Sequence, residues 1–293
     1  MKRLIIRPGA MGDFIVSIPA IECLRSGGLR DGYLEVWAAP RNVPLAARIA
    51  DRARSIAATG LDLLELTGPD ARLLETLRGF DSIVSWYGAG RPEFREAVAA
   101  LGLPFHFLAA LPPATCCSRV AHAADFYLEQ ARSIAGIAPC ASDAIPRLAC
   151  SAIRGGFAAI HPFAGSPRKR WPMERFQELA RRLACSMQVE WCAGPEDDLP
   201  GARRFEDLYE LGCWLATARI YIGNDSGPTH LAAAVGTPVV ALFGPSDPAV
   251  WAPRGPHVAL AAAPALDAIT VEHVAGLVRN TLGVLNRFGE TAP

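Results

Sequence analysis

The chain has 293 residues, 51% of them hydrophobic, with 29 acidic residues balanced by 29 lysines and arginines. That length suits two α/β units of about 150 residues, each with enough apolar material for a buried core. Zero net charge excludes the global basic field of a nucleic-acid binder and any acidic tail, and no uninterrupted apolar stretch reaches the roughly 18 residues of a membrane-spanning helix.

The chain opens with MKRLIIRPGAMGDF, where the apolar stretch at residues 4–6 is broken at once by Arg7, Pro8 and Gly9. This is too short for a secretion signal and reads as a first strand, 3–7. Apolar runs at 33–39, 80–87 and 104–110 read as further strands, and the segments 43–59, 69–79, 93–102 and 122–136 as helices. Periodicity is lost over 138–156, where Pro, Ser and Gly accumulate, so a domain boundary is placed there, with domains 1–145 and 146–293. Alternation then resumes. Strands are expected at 157–164, 188–194, 219–225, 238–244 and 258–263, and helices at 173–185, 206–218, 228–236 and 270–285. The last of these helices is a candidate to pack back toward the N-terminal domain. Regular βαβ alternation of apolar strands means parallel sheets covered on both faces. The fold class is therefore α/β, with two doubly wound domains in tandem and ligands expected in a cleft beyond the carboxyl ends of the strands.

The eight cysteines, Cys23, Cys116, Cys117, Cys140, Cys150, Cys185, Cys192 and Cys213, contain no C-x-x-C spacing. They read as reduced, mostly buried thiols of a cytosolic protein. No Walker A, G-x-S-x-G, H-E-x-x-H or D-x-D pattern occurs, so neither a metal nor another cofactor is expected.

Three strand-to-helix junctions carry unusual chemistry. After the first strand, Gly9 and Gly12 permit a tight turn and close approach of a ligand, and Asp13 stands near the start of a helix. Asp13 reads equally as a helix N-cap. After the strand at 157–164 comes HPFAGSPRKRWPMERF, in which Arg168, Lys169 and Arg170 could meet phosphates or point to water. Pro172 suits a first helical turn. Lys169 and Lys2 are the only lysines, a hint that arginine does not serve at 169. The third junction is GNDSGPTHLAAAVG, residues 223–236. Backbone N–H groups over 226–229 would face outward at the positive end of a helix dipole, an anion site to which Ser226 adds a hydroxyl. His230 lies one turn on from Ser226, on the same face. Capping would equally explain Asp225, and packing would explain His230. A fourth turn, CAGPEDD at 192–198, offers Glu196, which could accept hydrogen bonds from a ribose diol or simply be an exposed acid.

Together, RPGAMGDFIVSIPAIECLR, HPFAGSPRKRWPMERF and YIGNDSGPTHLAAAVGTPVVALFGPSDPAVWAP resemble glycosyltransferase family 9, the ADP-heptose:lipopolysaccharide heptosyltransferases. Phe163 stands where the family commonly has glycine, and Ser226 where it often has threonine. The resemblance implies a GT-B fold, two Rossmann-like domains facing a central cleft, with the acceptor on the N-terminal domain and the nucleotide sugar on the C-terminal one. It implies inverting, metal-independent transfer of a heptose or related sugar from an ADP-sugar to a lipopolysaccharide core or similar glycan. By position, Asp13 matches the catalytic base, with Gly9 and Gly12 in the acceptor-side loop. Lys169 matches the donor-phosphate lysine, Asp225, Ser226 and Gly227 the pyrophosphate turn with His230 beside it, and Glu196 the ribose acid. The implied partners are a nucleotide-sugar donor and a glycolipid acceptor, and not nucleic acid. The implied location is the cytoplasm, with peripheral contact at the inner membrane face. Arg48, Arg52 and Arg54, with Arg41 nearby, could offer a basic surface for such contact, but read more readily as a solvated helix face. Two other functions fit the same motifs: a non-catalytic nucleotide-sugar or glycan-binding protein, and a GT-B-type sugar-nucleotide epimerase.

Overall fold

A computed structural model describes residues 1–26, 32–113, 122–134 and 143–288. Cys116, Cys117 and Cys140 and the start of the expected boundary segment lie outside the described residues. The chain divides into two compact units, Met1–Ala144 and Ile145–Pro293.

The first unit runs β1 (Lys2–Arg7), α1 (Met11–Val16), α2 (Ile18–Ser26), β2 (Tyr33–Ala38), α3 (Val43–Ala46), β3 (Arg52–Ser55), α4 (Leu64–Thr67), α5 (Ala71–Arg78), β4 (Ser82–Ser85), α6 (Pro92–Ala100), β5 (Phe105–Phe107) and α7 (Ala123–Arg132). Its strands pair in parallel in the order β3-β2-β1-β4-β5. On one face Leu4, Ile6, Trp37, Ile83 and Phe94 form a core with Leu64 and Leu77, while α2 and α7 pack against each other. Continuous burial of residues 3–7 is what a central parallel strand, covered on both faces, requires.

The second unit runs β6 (Phe157–His161), α8 (Met173–Leu183), β7 (Gln188–Trp191), α9 (Leu208–Thr217), β8 (Ile220–Asn224), α10 (Gly227–Ala234), β9 (Val239–Phe243), α11 (Pro248–Trp251), β10 (Val258–Ala262) and α12 (Val271–Phe288). The parallel order is β7-β6-β8-β9-β10. Trp171, Phe176 and Leu179 pack with Ile220, Ile222, Val240, Leu242, Val274 and Val278. α12 lies against α8, β9 and β10. In each unit the strand order reverses once, between β1 and β4 and between β6 and β8. In open parallel sheets such a reversal opens a crevice at the carboxyl strand ends, where ligands bind. Gly9 and Asp13 follow β1, Lys169 follows β6, and Asp225 follows β8.

The segment 43–59 is not one helix. Only residues 43–46 are α-helical, β3 forms an extra strand at the sheet edge, and residues 56–58 make a single 3₁₀ turn after it. The cause is tertiary. Glu35, buried on the neighbouring β2, pairs through Oε1 with Arg54 Nε at 2.8 Å and accepts from Trp37 Nε1 at 2.8 Å and from the Tyr33 hydroxyl at 2.9 Å. Extended backbone brings Arg54 beside that carboxylate, and the helical period of the sequence yields to it. The cysteines also differ from the all-reduced expectation: Cys23, buried in α2, is disulfide-bonded, whereas Cys150, Cys185, Cys192 and Cys213 are thiols.

Glu35→Ala removes the partner of a half-buried guanidinium and of a buried indole N–H. It should cost about 3 kcal/mol or more of stability in urea unfolding. A loss under about 1 kcal/mol would mean that water takes over both partners.

Candidate functional site

The site in the second unit is organised by Asn224, the fully buried last residue of β8. Its Oδ1 accepts from the Trp171 amide at 2.9 Å, and its Nδ2 donates to the Pro162 carbonyl at 2.8 Å. One side chain thus pins both ends of the loop that follows β6. Trp171 is locked further by its indole N–H, which donates to the Ile269 carbonyl at 2.9 Å, and by edge-on contact with Phe176 at 4.9 Å. Pro172 occupies the N-cap position of α8, one residue earlier than expected. Within the pinned loop, residues Pro167–Lys169 form a single 3₁₀ turn. The turn delivers Lys169 Nζ to within 2.7 Å of Asp225 Oδ2. Arg170 turns away, donating to the Ala164 carbonyl and lying over the Phe163 ring, while Arg168 is exposed.

Asp225 does not cap α10. The N-cap is Ser226, in extended conformation and without a side-chain capping bond. Asp225 is buried, its amide donates to the Leu242 carbonyl, and its Oδ1 lies 3.9 Å from His230 Nε2. Burial pushes the carboxyl upward, but the neighbouring His230, Lys169 and Ser246 side chains, of which Lys169 hydrogen-bonds it, outweigh that and hold Asp225 at about 2. The sequence motif therefore gathers Lys169, Asp225, Ser226, Gly227 and His230 in one cluster. Asp225 fixes the lysine, and two of the three ammonium protons remain for another anion. The backbone donors are fewer than the four-residue reading 226–229 implies. Pro228 has no N–H, and the Thr229 amide returns to the Ser226 carbonyl at 3.1 Å. The amides of Ser226 and Gly227 lead the helix.

Supporting residues escaped the sequence reading. The Thr229 hydroxyl bonds the Asn224 carbonyl and meets the hydroxyls of Tyr221 at 3.2 Å and Ser226 at 3.3 Å. Gly223 is required here, since a Cβ would stand 2.5 Å from the Tyr221 hydroxyl. Glu196 is exposed on its turn, and its neighbour Asp197 does the local structural work, accepting from the Gly194 amide at 2.9 Å. His161, at the end of β6, is buried, which lowers its pKa to about 4 and keeps it neutral at neutral pH. Among the described residues no three His, Cys, Asp or Glu side chains gather as metal ligands would.

In the first unit Asp13 is not an N-cap either. Ala10 holds that position, and Asp13 lies in the first turn of α1, where the helix dipole favours a carboxylate. Gly12 is helical. Gly9 has φ 125°, a conformation that L side chains rarely adopt, and a Cβ there would lie 3.5 Å from Asp13 Oδ2. Asn42 Nδ2 donates to the Gly9 carbonyl at 3.0 Å. The turn is braced by the buried Arg7, whose Nη2 donates to the Asp13 carbonyl at 3.0 Å and whose Nε donates to Ser17 Oγ at 3.2 Å. Its guanidinium carbon lies 5.5 Å from the Trp86 ring centre and 4.8 Å from that of Tyr127. Of the arginines that could offer a membrane-facing surface, Arg54 is committed to Glu35. No described helix is long and apolar enough to cross a membrane.

The model of glycosyltransferase family 9 (heptosyltransferase) matches residues 117–272. The chain belongs to this family. It is 31% identical over 149 residues to lipopolysaccharide heptosyltransferase 3 of Escherichia coli K12, an alignment covering 44% of this chain and 42% of that protein. The matched stretch thus spans less than half the length of that curated relative. Among solved structures, a family 9 glycosyl transferase from Veillonella parvula superposes with a TM-score of 0.77 at 17% identity, covering 97% of both chains. An Escherichia coli heptosyltransferase solved with ADP superposes with a TM-score of 0.71 at 16% identity, covering 96% of this chain and 100% of the other. The fold is GT-B, built from the two Rossmann-like units described above.

The Asp225 pKa gives a pH-dependent test. A carboxyl held below its ordinary value stabilises the fold fully above about pH 4, and that stabilisation is lost as pH falls toward 2. The shift corresponds to about 2 kcal/mol at neutral pH. Asp225→Asn should therefore be less stable than the parent by about 2 kcal/mol in urea unfolding at pH 7, with the gap narrowing to roughly half at pH 3. A gap independent of pH would rule out a charge-based role.

Proposed function

We propose that the chain is an inverting, metal-independent glycosyltransferase that moves a heptose from an ADP-sugar to a lipopolysaccharide core sugar. The observation that carries this reading is the 2.7 Å pair of Lys169 and Asp225 beside the leading amides of α10. Family membership and the ADP named with one structural relative support the choice of donor.

In this reading the donor pyrophosphate rests against the amides of Ser226 and Gly227 and the ammonium of Lys169. A carboxylate alone would repel phosphate, so Asp225 serves by orienting Lys169 and His230. As the bond from the anomeric carbon to the β-phosphate oxygen breaks, negative charge grows on that phosphate. Lys169 and the helix N-terminus stabilise it, the work a divalent cation does in other transferases. Asp13 takes the proton of the acceptor hydroxyl as that oxygen attacks the opposite face of the anomeric carbon, inverting it. The exposed backbone of Gly9 leaves room for the acceptor above Asp13. Glu196 stands as the candidate for the ribose diol. The acceptor is a glycolipid, which places the enzyme in the cytoplasm at the inner membrane face.

Lys169→Ala should weaken ADP binding roughly tenfold or more, read by calorimetry, because it removes a charge-assisted hydrogen bond. Unchanged affinity would take Lys169 out of the donor site. Asp13→Ala should bind ADP as the parent does and lose about a hundredfold or more in turnover. The decisive assay follows ADP release and the anomeric configuration of the product, with and without a lipopolysaccharide core acceptor. Acceptor-dependent ADP release with inversion supports the proposal. Conversion of the sugar nucleotide without acceptor would indicate an epimerase, and binding without product a non-catalytic protein. A thermal shift with UDP or GDP but not ADP would refute the donor assignment.

A further inference from the structure

The cysteines take no part in the reading above, yet two of them meet. Cys213, on α9, and Cys150, on the segment that leads into β6, bring their sulfurs to 3.4 Å. Both are half-buried, so a small reagent can reach them. A disulfide needs about 2.05 Å between sulfurs, so closure asks for a movement of about 1.4 Å.

The surroundings hold both sides in place for it. The segment 145–156 runs as a strap along α9 and the C-terminal end of α10. The Leu148 amide donates to the Ala234 carbonyl at 2.9 Å, Arg154 Nη2 to the Gly236 carbonyl at 2.8 Å, and the Gly155 amide to the Thr217 carbonyl. The Tyr209 hydroxyl donates to the Ala149 carbonyl at 3.1 Å. Tyr209 and Cys213 are one helical turn apart, on one face of α9, and they meet consecutive residues of the strap, Ala149 and Cys150. The two sulfurs face each other across a register fixed by four hydrogen bonds.

We propose that Cys150 and Cys213 form a reversible disulfide site that clamps the strap to α9. The oxidant class is a low-molecular-weight disulfide, RSSR. One thiolate attacks RSSR and releases the first RS⁻. The second protein thiolate then attacks the mixed disulfide and releases the second. The two protein thiol protons end on the two RSH molecules, and the new S–S bond takes the place of the one broken. The clamped strap also meets the C-terminal end of α10 through Leu148, about 12 Å along the helix from Ser226. The proposal stands independently of what binds at the N-terminal end.

The test incubates the full chain with oxidised glutathione, blocks remaining thiols, and maps tryptic peptides without reduction. The expected product is residues 148–154 linked to residues 205–219, reversed by a phosphine reductant. The thermal midpoint should rise by on the order of 5 °C or more in the oxidised form. Cys213→Ser should show neither the linked peptide nor the rise. Separate glutathione adducts on the two peptides, Cys150 linked to another cysteine, or the same midpoint rise in Cys213→Ser would each overturn the proposal.

Discussion

The second unit depends on one buried amide. Asn224 ends β8 with no exposed surface, and its two hydrogen bonds tie Pro162 and Trp171 to the sheet. A buried primary amide is costly unless its donors and acceptor are used. Here they are used on backbone groups of a loop that would otherwise have no fixed place. The consequence is geometric. Lysine carries four rotatable carbons, and holding its ammonium at one point costs side-chain entropy. With the loop anchored at both ends, that cost falls to the side chain alone, and Asp225 offsets it with a short ion pair. Trp171 carries the constraint outward, since its indole reaches Ile269, just before α12.

This arrangement explains why a carboxylate stands beside a set of groups suited to anions. A bare ammonium next to a helix N-terminus would be repelled by the dipole and would swing into water. Asp225, ionised by its partners despite burial, cancels that repulsion and leaves two ammonium protons directed outward. The site is therefore nearly neutral before a ligand arrives and acts through aligned donors more than through net charge. Such fixed donors need no rearrangement as charge develops on a leaving group.

Much of this was legible in the sequence. The βαβ alternation gave the two parallel sheets, and glycine, proline and small polar residues marked the strand ends where the candidate residues lie. The grouping of Lys169 with Asp225 and His230 came from the resemblance to glycosyltransferase family 9, not from the residues alone. The failures have a common cause. Residues 43–59 carry a helical pattern, but Glu35 on the neighbouring strand recruits Arg54 into extended backbone. Asp13 and Asp225 both occupy positions where capping is the usual duty, and neither caps, because Ala10 and Ser226 hold those places. Asn224 and Arg7 went unnoticed since their partners are distant backbone carbonyls, aromatic rings and amides, which leave no local pattern. Cys150 and Cys213 are 63 residues apart and meet only through the fold.

The two aspartates illustrate how environment divides one functional group between two duties. Asp225 is buried, engaged by Lys169 on one oxygen and approached by His230 on the other, and its proton affinity is far below that of an ordinary carboxyl. Such a group cannot accept a proton at neutral pH and is fit only for orientation. Asp13 is half-exposed, and the structural bonds of its turn, from Arg7, go to its main-chain carbonyl. The buried guanidinium thus fixes the backbone and leaves the carboxylate uncommitted. A general base needs this combination, a fixed position and an unengaged oxygen. The fold supplies rigidity to Asp13 through its backbone and to Asp225 through its side chain, the difference that the proposed roles, proton transfer for the first and positioning for the second, rest on.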